Sequence, residues 1–215
     1  MVKTKHGKFY FIFYNTLKYI LRAIFKLLYR VETIDLDKIP EKGKLIICSN
    51  HISYLDPVII TDFMPRYIYF MAKEELYDHK ILGSLITFFN AFPVKREGFS
   101  IDTFRTAQEV LKNGHILGLF PEGTRSTDGV LKEGKKGVGF IAACNEAPIL
   151  PIAISGTNKV IQKPHKRLFF PKIKIIAGDI IDVKEILEKY DRREAENIIV
   201  SKTMEEIGKL YEKIK

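Results

Sequence analysis

Leu45-Ile46-Ile47-Cys48 leads, across Ser49, into Asn50-His51-Ile52-Ser53-Tyr54-Leu55-Asp56-Pro57 and then Val58-Ile59-Ile60. The first apolar run reads as a buried strand and the last as the opening turn of a helix. Pro57 suits the first helical position, because the N–H it lacks has no partner there. Asp56 is expected at the cap, where a carboxylate is favoured. His51 then stands on a loop between a strand's end and a helix's start, where α/β folds place chemistry. A carboxylate five residues on can hold its ring and stabilise the imidazolium. Five residues along a regular helix point to different faces, so the pair works only if the loop bends them together.

Apolar runs and helical periodicities alternate along the rest of the chain. Residues 57–64 read as a helix, 67–71 as a second strand, 81–89 as an apolar helix, and 101–113 as an amphipathic helix stopped by Asn113-Gly114. Ile116-Leu117-Gly118-Leu119-Phe120 is a third buried strand, followed by a helix over 135–145. Residues 149–154 read as a fourth strand, where Pro151 argues for an edge or a bulge, and 173–176 as a fifth. Residues 32–44 are a polar lead, and closing helices are expected from Val183 on. This alternation predicts an α/β fold, a mixed sheet flanked by helices.

A chain of 215 residues, 46% hydrophobic and 28% charged, is globular and large enough for a sizeable core. Cys48 and Cys144 sit among apolar residues without metal or redox spacing and read as reduced core thiols. The net charge of +9 is unevenly placed. Residues 1–31 carry Lys3, Lys5, Lys8, Lys18, Arg22, Lys26 and Arg30 and no acid, so they hold +7 and the remainder +2. Lys18, Arg22, Lys26 and Arg30 recur every four residues and form one helical stripe, with aromatic and aliphatic residues on the remaining arc. The longest uncharged run, Phe9 to Leu17, is nine residues, too short for a membrane span. No small-residue cleavage pattern marks a secretory signal. An in-plane amphipathic helix, or a pair of them, fits, and a terminal helix packed on the body is the alternative. Nucleic acid is disfavoured, because so wide an apolar face does not stay in water. The expected organisation is a membrane-associating helical segment over 1–35 and an α/β domain over 36–215. The expected location is the cytoplasmic face of the cell membrane, peripheral or monotopic, on anionic lipid.

Three polar clusters follow strand ends: His51 with Asp56, Lys73 with Lys95-Arg96, and Glu122 with Arg125. Strand ends of an α/β sheet converge on one crevice. A His–carboxylate pair facing cations suits a reaction that holds a phosphate-bearing alcohol and deprotonates its hydroxyl, arginine gripping phosphate as a bidentate fork. Glu122 is expected to accept hydrogen bonds from polyol hydroxyls, beside Gly123, which lets a ligand approach the backbone.

These clusters resemble the sequence blocks of the glycerolipid acyltransferases, the family of phosphatidic-acid-forming 1-acylglycerol-3-phosphate acyltransferases. Asn50-His51 with Asp56 resembles its H-x4-D block. Phe120-Pro121-Glu122-Gly123-Thr124-Arg125-Ser126 is similar to its second diagnostic block throughout. Ala91-Phe92-Pro93-Val94-Lys95-Arg96 resembles the intermediate block, and Ala147-Pro148-Ile149-Leu150-Pro151-Ile152 the block associated with the acyl donor. One departure is Asn90, where the pattern has a glycine. The resemblance implies acyl transfer from a thioester, acyl-CoA or acyl carrier protein, to the free hydroxyl of lysophosphatidic acid. It implies His51 as general base oriented by Asp56, without a covalent enzyme intermediate. It places Lys73, Arg96 and Arg125 on the phosphate, Glu122 and Gly123 around the glycerol, and Thr124 among the substrate-binding residues. It also implies N-terminal membrane-binding helices, no metal and no bound cofactor. Another lysolipid or glycerol-3-phosphate as acceptor, and a non-enzymatic peripheral lipid-binding protein, are the alternatives.

Weaker signals have plainer readings. Gly137-Val138-Gly139-Phe140-Ile141-Ala142 fits G-x-G-x-x-A but follows a lysine-rich stretch and not a strand, which argues against a dinucleotide site. His6, His79, His115 and His165 read as surface residues. Lys163-Pro164-His165-Lys166-Arg167, before Leu168-Phe169-Phe170, reads as a solvated loop, with a contact for membrane or an acidic carrier as the alternative.

Overall fold

The structure, a computed structural model, describes residues 7–94, 100–162 and 167–215. In chain order the elements are α1 (Lys8–Tyr29), β1 (Glu32–Ile34), β2 (Leu45–Ser49), α2 (Asp56–Phe63), β3 (Ile68–Lys73), α3 (Lys80–Phe88), β4 (Phe92–Val94), α4 (Ile101–Lys112), β5 (Ile116–Leu119), α5 (Lys136–Asn145), β6 (Ile149–Ser155), β7 (Ile161–Gln162), β8 (Arg167–Leu168), β9 (Lys174–Ala177), α6 (Val183–Lys189) and α7 (Arg192–Ile214).

Seven strands make one sheet in the order β1-β9-β6-β2-β5-β3-β4, and β7 and β8 form a separate hairpin. Neighbours are parallel except β6 and β9. β2 is buried throughout, and its pleat divides it between two cores. Leu45 and Ile47 pack with Ile59, Ile60 and Met64 around α2 and with Tyr29 of α1. Ile46 and Cys48 pack with Val110 of α4, Ile141 of α5 and Ile199 of α7. A strand covered on both faces needs an unbroken apolar run, which Leu45–Cys48 supplies. β2 and β5 lie side by side, but their outgoing connections diverge. β2 leads through α2 on one face to β3, and β5 through α5 on the other to β6. Such a reversal opens a crevice at the carboxyl ends of the strands.

Pro151 lies inside the sheet, on a strand paired on both sides, and a bulge accommodates it. Ile152 pairs with Ala177 and Ile149 bridges to Ile181, so residues 178–180 stand opposite Leu150 and Pro151 alone. The ladder is interrupted where proline has no N–H to give. The short strands β1 and β4 and the β7–β8 hairpin were not expected from the sequence; β1 pairs with β9 within residues 32–34, ahead of the boundary drawn at 35. The G-x-G-x-x-A run lies on α5, where a Cβ on Gly139 would come within 2.2 Å of the Glu196 carbonyl oxygen of α7. That glycine permits close helix packing. Cys144 is only half-buried and receives a hydrogen bond from Arg192, so only Cys48 is a core thiol. His79 is exposed, His115 is half-buried against the Tyr69 ring, and His6 and His165 lie outside the described residues.

α1 is a single helix that buries Tyr14, Lys18 and Tyr29 against the body. The cation stripe does not all face outward. Lys18 Nζ donates to the Met64 carbonyl at 2.6 Å, and the Arg22 guanidinium donates to the Asp62 carbonyl. Both acceptors lie at the carboxyl end of α2, where carbonyls lack helical partners and the dipole favours a cation. Burial pulls the Lys18 pKa down to about 8. The opposite face leaves Phe9, Ile12, Phe13, Ile20, Ile24 and Leu27 exposed. Among the described residues no helix is long and apolar enough to cross a membrane.

Candidate active site

The loop after β2 does bend His51 and Asp56 together. Asp56 is the first residue of α2 and Leu55 is the cap, so the carboxylate turns back into the loop instead of capping the helix. Its Oδ2 accepts the backbone N–H groups of Ile52 and Ser53, each at 2.7 Å, and lies 2.8 Å from His51 Nδ1. Its Oδ1 accepts the hydroxyl of Thr157 at 2.6 Å. Asp56 is fully buried, and four donors surround its charge. A carboxylate only accepts hydrogen bonds, so Nδ1 carries the imidazole hydrogen and Nε2 keeps its lone pair.

The imidazole is held flat. It stacks on Phe120, the residue that follows β5, with ring centres 3.9 Å apart and planes 16° apart, and Phe120 stacks in turn toward Phe70 of β3. The backbone of His51 is gripped from both sides by the 120–126 loop. Its N–H donates to Glu122 Oε1 at 2.8 Å, and its carbonyl accepts the Ser126 N–H at 2.7 Å. Glu122 Oε2 accepts the Lys132 N–H at 3.0 Å. Glu122 is buried, and burial raises its pKa against the opposing pull of those two N–H groups. Both of its oxygens therefore engage backbone, where polyol hydroxyls were expected. Gly123 has φ +66, the left-handed region, and a Cβ there would meet Lys135 Cε at 2.8 Å.

Arg125 lies with its guanidinium carbon 3.4 Å from the centre of the exposed Tyr54 ring, a cation–π contact. Lys132 Nζ donates to the Arg125 carbonyl. The structure thus gathers His51, Asp56, Glu122, Gly123 and Arg125 into two interlocked loops, with Thr124 exposed within the 120–126 loop. Lys73 is exposed at the end of β3, in register with Val94 at the end of β4, on the same carboxyl edge of the sheet. Arg96 lies outside the described residues. Asn90 adopts φ +61 and is buried, with Oδ1 accepting the Tyr10 hydroxyl. Asparagine tolerates that backbone region better than most residues, so it fills a glycine's place.

Sequence reasoning assigned no role to Thr157, Tyr54 or Lys132, and it placed Asn50 in the motif with His51 without a role of its own. The Asn50 amide donates to the Ile154 carbonyl and accepts the Ile154 N–H, both at 2.9 Å, and extends the β2–β6 ladder past its last backbone pair. Thr157 follows β6, the strand beside β2, and knowing that adjacency would have pointed to it. The assembled chemistry is a base whose Nε2 has no partner among the described residues, a buried carboxylate behind it, and cations along the same edge.

Comparison with known proteins agrees. The family model described as acyltransferase matches residues 30–155. A 1-acyl-sn-glycerol-3-phosphate acyltransferase of Bacillus subtilis is 32% identical over 161 residues, 74% of this chain and 77% of that protein. A chloroplastic one from Brassica napus is 31% identical over 136 residues, 62% of this chain, though these span only 39% of its own length. The crystal structure of the 1-acyl-sn-glycerophosphate (LPA) acyltransferase PlsC from Thermotoga maritima superimposes with a TM-score of 0.69 at 28% identity, covering 91% of this chain and 79% of that one. With more than half of its length matched by the family model and its two diagnostic loops interlocked around one imidazole, the chain belongs to the acyltransferase family.

Proposed function

We infer that the protein is a 1-acylglycerol-3-phosphate O-acyltransferase, which moves an acyl group from a thioester to the free hydroxyl of lysophosphatidic acid and forms phosphatidic acid. The observation that carries this reading is the His51 Nδ1–Asp56 Oδ2 contact of 2.8 Å, with no partner for Nε2 among the described residues and the His51 backbone bonded to Glu122 and Ser126 of the loop that holds Arg125. His51 Nε2 takes the hydroxyl proton as the alcohol oxygen attacks the thioester carbonyl. The tetrahedral intermediate expels the thiolate, which recovers the proton from the imidazolium. Asp56 balances the imidazolium charge and fixes the tautomer. Arg125 and Lys73, with Arg96, hold the phosphate. Gly123 and Thr124 border the glycerol, and Glu122 acts from behind by fixing the His51 backbone. The co-substrate is acyl-CoA or acyl carrier protein, with no metal or bound cofactor, and the product feeds phospholipid synthesis.

The acceptor is a lipid, so the enzyme works at a bilayer. The exposed apolar face of α1 supports its lying in the plane of an anionic surface, peripheral or monotopic, on the cytoplasmic side. A thiol-release assay on vesicles holding lysophosphatidic acid tests the reading. Wild type releases thiol, and His51→Ala loses on the order of 10²–10⁴ in rate. Turnover by His51→Ala at the wild-type rate overturns it.

A further inference from the structure

All the excess positive charge of the chain lies in two acid-free segments, and the fold joins them. Residues 1–31 carry seven Lys and Arg and no acid. Residues 147–178 carry six, Lys159, Lys163, Lys166, Arg167, Lys172 and Lys174, and again no acid. The remaining residues hold 22 basic and 26 acidic side chains, a net −4. The second segment contains the β7–β8 hairpin, whose cross-strand pair Ile161 and Leu168 is 57% and 56% exposed, with Phe169 and Phe170 also open to solvent. The hairpin is rooted at the carboxyl end of α1. The Phe170 ring packs on the Tyr29 ring with centres 5.7 Å apart, Arg30 donates to the Phe170 carbonyl at 3.1 Å, and Val160 shares a core with Tyr29. Leu27, one turn back on α1, is 81% exposed.

We propose that the β7–β8 hairpin is a second membrane-docking element, which lays Ile161, Leu168 and Phe169 into an anionic bilayer alongside α1. Paired aliphatic residues beside an aromatic pair, on an acid-free basic segment, match the chemistry of a headgroup interface: apolar groups enter the acyl boundary and cations meet anionic lipid. Two contacts rather than one fix the tilt of the domain. The proposal rests on α1 itself docking on lipid, which the test reads separately.

The chain contains no tryptophan, so single substitutions report on single places. Phe169→Trp places a probe on the hairpin, Leu27→Trp one on α1, and Tyr190→Trp one at the end of α6, whose side chains pack into the core on the other face of the sheet. Each full-length variant is mixed with phosphatidylglycerol–phosphatidylcholine vesicles carrying brominated acyl chains. The expected result is a blue shift and quenching for Phe169→Trp and Leu27→Trp, and neither for Tyr190→Trp. Quenching of Leu27→Trp alone overturns the hairpin contact and leaves α1 docking in place; quenching of neither overturns both. Leu168→Asp/Phe169→Asp is expected to bind these vesicles at least about tenfold more weakly, with thiol release on micellar substrate unchanged. Arg167→Gln should lose about fivefold on anionic vesicles and nothing on neutral ones. Unchanged vesicle binding by the double variant, with turnover lost only when acyl carrier protein is the donor, assigns the surface to the carrier and overturns the proposal.

Discussion

Thr157 donates its hydroxyl to Asp56 Oδ1 at 2.6 Å, so the carboxylate that faces His51 is anchored from the turn that follows the neighbouring strand β6. The hydroxyl fixes the rotation of the carboxylate and with it the line from Oδ2 to Nδ1. A hydrogen bond to a charged, buried group is worth about 1.5–3 kcal/mol, and valine matches threonine in shape. Thr157→Val is expected to lower kcat about tenfold or more, with KM for lysophosphatidic acid unchanged, and Thr157→Ser to restore most of it. Steady-state kinetics on mixed micelles check this; a valine variant with wild-type kcat removes the anchoring role.

Glu122 makes a second prediction, because its two oxygens each accept a backbone N–H, from His51 and from Lys132. Glutamine has one acceptor and turns an NH2 toward the other N–H, so two donors meet in a buried place. Glu122→Gln should therefore behave as a disruptive change, with kcat down about ten- to hundredfold through displacement of His51. If Glu122 instead met only the glycerol, the loss would fall on KM, and the kcat/KM split distinguishes the two.

Much of this site was legible as local pattern. The apolar run into Asn50-His51, the carboxylate five residues on and the Pro-Glu-Gly-Thr-Arg loop are all contiguous stretches, and helix and strand periods place them at strand ends. What stayed hidden depends on which strands become neighbours. Thr157 and Asn50 matter because β6 lies against β2, and Glu122 braces His51 because β5 lies on the other side of β2. Periodicity put Lys18 and Arg22 in one stripe but not on which side the protein would stand. They turned inward because the carboxyl end of α2 offered them carbonyls. The polar character of Glu122 suggested a ligand contact, whereas burial and two backbone donors gave it a structural one.

Tyr54 tests how Arg125 is presented in the proposed reaction, where it holds the acceptor's phosphate. The guanidinium lies 3.4 Å from the ring centre, and the ring is exposed, so substitution costs little stability. An exposed cation–π contact is worth about 0.5–1 kcal/mol. Tyr54→Leu should raise KM for lysophosphatidic acid about two- to fivefold with kcat nearly constant, and Tyr54→Phe should match wild type. Equal KM in all three proteins, measured across acceptor concentrations, shows that the stack does not position Arg125.

Asp62 gives a prediction about stability and pH. It sits in the last turn of α2, buried, with no hydrogen-bond partner for either carboxylate oxygen among the described residues. Burial raises its pKa to about 6, in spite of the nearby Arg22 and Lys18. The unfolded value is near 4, so the folded state binds the proton more tightly than the unfolded one. Stability from this group is intact below about pH 4, is lost as pH rises from about 4 to about 6, and stays lost above. A negative charge at a helix's carboxyl end adds to the penalty. Asp62→Asn keeps the shape and removes the charge. It is expected to gain about 1–2 kcal/mol over wild type at pH 7.5, a rise of about 2–8 °C in Tm, and almost nothing at pH 4. Thermal unfolding of both proteins at the two pH values decides it. An equal gain at both means that the charge is not what the buried position resists.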